Sequence, residues 1–77
     1  MEIALDQLSQ GALGVLRHMD VDEAMRKRLL DFGMVEGTKI RCLRNEKGRG
    51  LKLYQVRGSM IALRSADSAM ICVELCL

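Results

Sequence analysis

The chain has 77 residues, 49% of them hydrophobic and 3% aromatic, and a formal net charge of +2. That length allows one domain, residues 1–77, with a small core, because a chain of this size buries only about 60% of the surface its unfolded form exposes. The apolar content excludes a disordered tail, and no run approaches the roughly 20 apolar residues that a spanning helix needs.

In chain order, residues 1–11 read as an opening segment. Leu5 and Leu8 have the spacing of a short helical turn pressed on the core, and Gly11 marks a turn. A strand follows over about 12–19, alternating imperfectly, with Leu13 and Val15 on one face and Leu16 and His18 on the other. The clear helix is predicted over about 21–32. Asp20 or Asp22 can cap it, since a short carboxylate accepts from the orphan N–H groups of the first turn. Met25, Leu29 and Phe32 recur at helical spacing and face the core, while Arg26, Lys27 and Asp31 face water. Gly33 stands where a left-handed residue stops the helix, and Met34 can return onto Leu29.

After Gly37 the pattern changes to period two. Ile40 and Cys42 point one way, and Lys39, Arg41 and Leu43 the other. Residues 45–50 form a turn and 52–56 a returning strand. Gly58 is a bend or bulge before the next strand at 60–63. Residues 65–68 read as a single helical turn. The last strand covers 70–75, with Ile71, Val73 and Leu75 on its inner face. Many short strands with glycine turns and one helix suggest a small, mainly β barrel of about five strands.

From Arg26 to Val73 the sequence runs RKRLLDFGMVEGTKIRCLRN, a short glycine-bearing gap, and VRGSMIALRSADSAMICV. The order of LLDFG, the second glycine Gly37, Val56-Arg57-Gly58 and Ile71-x-Val73 resembles the FeoA family, small proteins of bacterial ferrous iron uptake. It is also similar to the C-terminal SH3-like domain of iron-dependent repressors. The resemblance implies an SH3-like β-barrel with one inserted helix. It implies a cytoplasmic accessory that touches the cytosolic part of the membrane GTPase-permease importing ferrous iron. The alternatives are a stand-alone SH3-like regulatory module or a basic nucleic-acid-binding module. One departure is visible: the family's hairpin turn often carries prolines, whereas residues 45–50 here have none and are more basic.

The residues themselves carry little reactive chemistry. His18 is the single histidine, and no nucleophile motif surrounds a serine, so no enzyme and no cofactor is expected. His18, Asp20 and Asp22 are weak metal candidates at a strand–helix junction, where acids more commonly cap a helix. Cys42, Cys72 and Cys76 lack CxxC spacing. On one strand Cys72 and Cys76 would lie roughly 13 Å apart, beyond the reach of a disulfide, so the thiols read as small hydrophobes in a reducing compartment. The start, MEIALDQLSQ, has acids where a leader carries positive charge, and a cytoplasmic location is expected.

Charge is uneven. From Lys39 to Arg64 there are eight basic residues against one acid, Glu46, while Met1 to Thr38 holds four basic and seven acidic residues. Such asymmetry steers an anionic partner. Arg41, Arg44, Lys47, Arg49 and Lys52 are the candidate partner-binding stripe, with Arg26 and Lys27 of the helix as the second place. Nucleic acid is disfavoured because only Tyr54 could offer a stacking platform. The apolar terminal run 71–77 and the edges of a small barrel suggest weak self-association.

Overall fold

Residues 1–45 and 50–76 are described by a computed structural model. The predicted basic positions Lys47 and Arg49, most of the proline-free turn, and Leu77 lie outside the described residues. The chain order is β1 (Glu2–Ala4), a 3-10 turn (Leu5–Gln7), β2 (Leu13–Met19), α1 (Glu23–Asp31), β3 (Lys39–Asn45), β4 (Leu51–Val56), β5 (Ser59–Arg64), α2 (Ser65–Ser68) and β6 (Ile71–Leu75). The strands make one antiparallel sheet in the order β1-β6-β2-β3-β4-β5. The mainly β architecture with one principal helix is as expected. The described sheet has six strands rather than about five, because the opening segment pairs with the far end of the chain, Glu2 opposite Glu74 and Ala4 opposite Cys72.

Helix α1 begins and ends where local chemistry dictates. The Asp22 carboxylate accepts from the Met25 N–H at 2.8 Å, satisfying one orphan donor of the first turn. At the other end the Met34 N–H donates to the Leu29 carbonyl at 3.0 Å, and the Gly33 N–H to the Leu30 carbonyl at 2.9 Å. This pair of bonds is the Schellman closure, and it requires the left-handed backbone that Gly33 adopts at φ +94°. Leu29 and Met34 are both fully buried, so the cap is also a packing contact. The Thr38 hydroxyl donates to the Gly33 carbonyl at 3.1 Å and accepts from the Val35 N–H at 3.2 Å, which fixes the path from helix to β3.

Two irregularities bend the sheet. The register of β2 on β6 shifts between Leu16 and His18, and that of β3 on β4 shifts between Cys42 and Arg44. An extra residue increases local twist and resets which side chains point inward. Leu16 and Met19 are therefore both buried while His18 is exposed. The expected pairing of Leu16 with His18 on one face is corrected by this bulge.

Curvature brings the sheet's far strands round to the 3-10 turn. The Tyr54 hydroxyl, on the inner face of β4, lies 3.3 Å from the Leu5 carbonyl and 3.1 Å from the Ser68 hydroxyl of α2. The Asn45 amide donates to the carbonyls of Asp6 at 3.1 Å and Leu8 at 2.9 Å. These polar ties, rather than pairing between β1 and β5, hold the ends of the sheet together. The enclosed core is aliphatic around one tyrosine: Leu5, Leu8, Leu16, Leu29, Ile40, Tyr54, Val56 and Val73 are essentially inaccessible. Each such side chain contributes about 1.5–3 kcal/mol by leaving water. The terminal stretch stays in the ladder as far as Cys76, whose N–H donates to the Leu13 carbonyl at 2.9 Å. The Cys76 backbone is thus tied to β2.

Candidate functional site

The connection between β4 and β5 decides which residues form the molecular surface. Arg57 and Gly58 both have positive φ, +52° and +82°, and Val56 pairs with Ser59. This is a two-residue hairpin turn, not a bulge, and positive φ at both central positions is the type I′ signature that matches strand twist. Register then follows along the hairpin: Gln55 faces Met60, Leu53 faces Ala62, and Leu51 faces Arg64. The alternate set, Lys52, Tyr54 and Val56, points inward.

This orientation removes Lys52 from the predicted basic stripe. Its side chain is only 7% exposed. In its place, Arg64 joins the outer face, and so do Leu51 and Met60, which are 56% and 64% exposed. On the neighbouring strand, Arg41 lies opposite Gln55 and Arg44 opposite Leu53. Both arginines are exposed, as is Lys39. Arg41 also donates to the Gly11 carbonyl at 2.8 Å, which orients it along the sheet. The outer face of β3-β4-β5 is thus an apolar floor flanked by cations, and among the described residues of these strands there is no acid. Leu51, Leu53, Met60 and Arg64 were not singled out from the sequence. A two-residue turn at Arg57-Gly58 fixes which residues pair, but not which alternate set faces out.

A second depression of about 350 Å³ lies between β2, α1 and the segment after the helix. Leu30 and Val35, each nearly half exposed, share its walls with Arg17, Arg26 and Glu36. Arg26 is engaged: its guanidinium donates to the Met19 carbonyl at 2.6 Å and lies 3.9 Å from Glu23. Lys27 is exposed on the same helix. Arg26 and Lys27 belong to α1, whereas Arg41 and Arg44 belong to β3.

Of the weak metal candidates, His18 and Asp20 line one shallow depression with Glu2 and Cys72. Asp22 is committed to the helix cap. His18 pairs across the sheet with Cys72, whose thiol lies 3.3 Å from the Glu2 carboxylate. Among the described residues no three of His, Cys, Asp and Glu form a group that could hold a metal ion. All three cysteines are free, and burial pushes the Cys42 thiol up, against the backbone hydrogen bond at Arg44 and the Lys52 charge. Tyr54 is pushed up to about 12, chiefly by burial. Being wholly buried, it offers no platform for a nucleobase. Gly33, Gly37 and Gly58 all occupy positive φ, so these glycines act on the backbone. No helix among the described residues is long and apolar enough to cross a membrane.

The same architecture recurs in solved structures. The chain is similar to an iron uptake regulatory protein (FeoA), with 20% identity, a TM-score of 0.89, and 99% and 100% of the two chains covered. It resembles FeoA of Chlorobium tepidum, with 24% identity, a TM-score of 0.91, and 97% of this chain and 71% of that one covered. Against the zinc complex of Stenotrophomonas maltophilia FeoA, described as a prokaryotic SH3 domain protein, identity is 24%, the TM-score 0.80, and coverage 96% and 89%. A manganese-dependent transcriptional repressor carries a similar unit in 42% of its length, at 18% identity and a TM-score of 0.87. Among curated proteins none matches the sequence. The sequence also matches the FeoA domain over residues 3–75. With that match spanning nearly the whole chain, and the SH3-like sheet beneath it, this protein belongs to the FeoA family.

Proposed function

We propose that the chain is a cytoplasmic accessory protein of bacterial ferrous iron uptake, and that it works as a single binding module on the cytosolic part of the membrane GTPase-permease. The observation that carries this reading is the FeoA match over residues 3–75. The names of its structural relatives agree with it: one is an iron uptake regulatory protein, another a candidate ferrous iron transport activating factor. The surface also supports binding over chemistry. Its prominent features are a cationic apolar sheet face and a groove of mixed charged and apolar lining, whereas the single histidine is an exposed strand residue.

Binding supplies regulation here by mass action. A domain that prefers one state of the GTPase shifts its equilibrium only by the difference in affinity for the two states. A cationic face raises the encounter rate with an acidic partner more than it raises affinity, so association should weaken as salt rises. The test is isothermal titration of the intact chain into the purified cytosolic part of the permease from the same cell, in its GTP and GDP states, at two salt concentrations. Saturable binding that is weaker at high salt supports the reading. No heat and no co-elution at high micromolar concentration of both proteins overturns it.

A further inference from the structure

The inward turn of Lys52 leaves a surface that the accessory role does not by itself explain. On β4 the outward residues are Leu51, Leu53 and Gln55, and on β5 they are Met60, Ala62 and Arg64. A half-buried antiparallel sheet normally presents the polar half of its alternation to water. Here Leu51 and Met60 are more than half exposed, while a lysine occupies the inner row. The floor is bordered on β3 by Lys39, Arg41 and Arg44. Arg64 closes the far corner, beside a shallow apolar depression at Gly50, Leu51, Ser65 and Ala66.

We propose that the outer face of β3-β4-β5 is the docking surface for an acidic amphipathic helix of a partner protein. This deepens the binding reading above by naming the surface and the chemistry of the segment that covers it, and it rests on that reading. Dimensions favour a helix. Two strands lie about 4.8 Å apart, and Leu51 to Gln55 spans about 13 Å. A helix with a pitch of 5.4 Å would lay about two and a half turns along that length. Its leucines at helical spacing would cover Leu51, Leu53, Met60 and Ala62. Its acids, on the flanks, would meet Arg41 and Arg44 on one side and Arg64 on the other. Arginine suits that place because its planar fork takes a carboxylate through two bonds.

Charge and shape argue against the other occupants. Two copies stacked face to face would set Lys39, Arg41, Arg44 and Arg64 against like charges. A lipid surface would meet the long arginines first and leave the shorter Leu and Ala of the floor uncovered. An extended peptide would use the open edge of β5 instead of the face. Single-stranded nucleic acid needs exposed aromatics, and Tyr54 lies in the core.

The test maps amide shifts of the isotope-labelled intact chain with defined probes. The first is an 18-residue helical peptide with leucine at heptad spacing and glutamate elsewhere. The controls are the same peptide with lysine for glutamate, a peptide alternating valine and glutamate, oligo-dT, and phosphatidylglycerol vesicles. The last titrant is the cytosolic part of the permease. The expected result is saturable shifts at Arg41, Arg44, Leu53, Met60 and Ala62 with the acidic helical peptide and with the permease domain. The lysine peptide should bind at least 10-fold more weakly. Leu51→Glu with Met60→Glu, both exposed positions, should keep the native spectrum and weaken acidic-peptide binding at least 10-fold. If the permease domain binds but its shifts fall at Leu30 and Val35, this inference fails and the functional reading stands. Shifts confined to the β5 edge, equal binding of the lysine peptide, a preference for vesicles or oligo-dT, or no shifts on this face at millimolar peptide each overturn the proposal.

Discussion

Tyr54→Phe keeps the ring that fills the core and removes only the hydroxyl that joins three segments. That hydroxyl has one proton, so it donates to the Leu5 carbonyl while the Ser68 hydroxyl donates to it, at 3.3 and 3.1 Å. The substitution leaves a carbonyl and a hydroxyl without this partner in a site closed to solvent, where each unmade bond costs about 1–3 kcal/mol. A loss of about 2–3 kcal/mol is expected after partial compensation, and each kcal/mol lowers Tm by roughly 4–8 °C in a chain of this size. Ser68→Ala should cost less, about 1 kcal/mol, because Tyr54 still reaches Leu5. The double variant should fall short of additivity by at least about 0.5 kcal/mol, since the two act in one network. Urea unfolding followed by far-UV circular dichroism reads all three. The alkaline limb gives an independent check. The folded pKa of Tyr54 is raised to about 12 from 10.0. Its stabilisation is therefore whole below pH 10 and is lost between 10 and 12, at about 1.4 kcal/mol per unit. Tyr54→Phe should lack that loss. A cost below about 0.5 kcal/mol, strict additivity with Ser68→Ala, or an unchanged alkaline limb would refute the claim that this hydroxyl ties the sheet ends together.

Other expectations follow from the same geometry. Asp22→Ala should destabilise by about 1 kcal/mol in urea unfolding by removing the cap on Met25, and Asp22→Asn should recover most of it. Gly33→Ala should cost about 1–2 kcal/mol for its left-handed backbone. A Cβ there would also lie 2.8 Å from the Arg57 Cδ, so adding Arg57→Ala should restore the steric part alone. Cys42, buried and with its thiol pushed up, should resist alkylation in the native protein and react only on unfolding. Mass spectrometry should find the labels of the folded state on Cys72 and Cys76, and native labelling of Cys42 would contradict the core placement.

Helix α1 was legible to within two residues because its signals are local: a capping aspartate, a three-and-four spacing, and Gly33 with Met34 behind it. The same holds for the first half of β3, for β5 and for the start of β6, where alternation is clean. Strand β1 was hidden because its partner, Glu74, is 72 residues away and three residues carry no periodicity. The bulges at Arg17 and Leu43 left no local mark, so His18 was assigned to the wrong face. Leu51-Lys52-Leu53-Tyr54-Gln55-Val56 offers two alternations that fit equally. Leu51, Leu53 and Gln55 could have faced in, but Tyr54 and Val56 won because the tyrosine finds partners at Leu5 and Ser68. That competition carried Lys52 inward and two leucines outward. The family was readable from motif order, whereas the face it presents to a partner depended on this one strand.

If the chain acts in ferrous iron uptake, iron entry itself is the most direct measure. Radiolabelled ferrous iron entry would be followed under reducing conditions in the native host. The strains are one with the gene deleted in frame, one with the deletion and a plasmid copy, and one lacking the permease. Deletion is predicted to change the initial rate several-fold. The plasmid copy should restore it, and the deletion should have no effect when the permease is absent. Equal initial rates with and without the gene, while the permease is present and active, would show that the chain has no part in uptake.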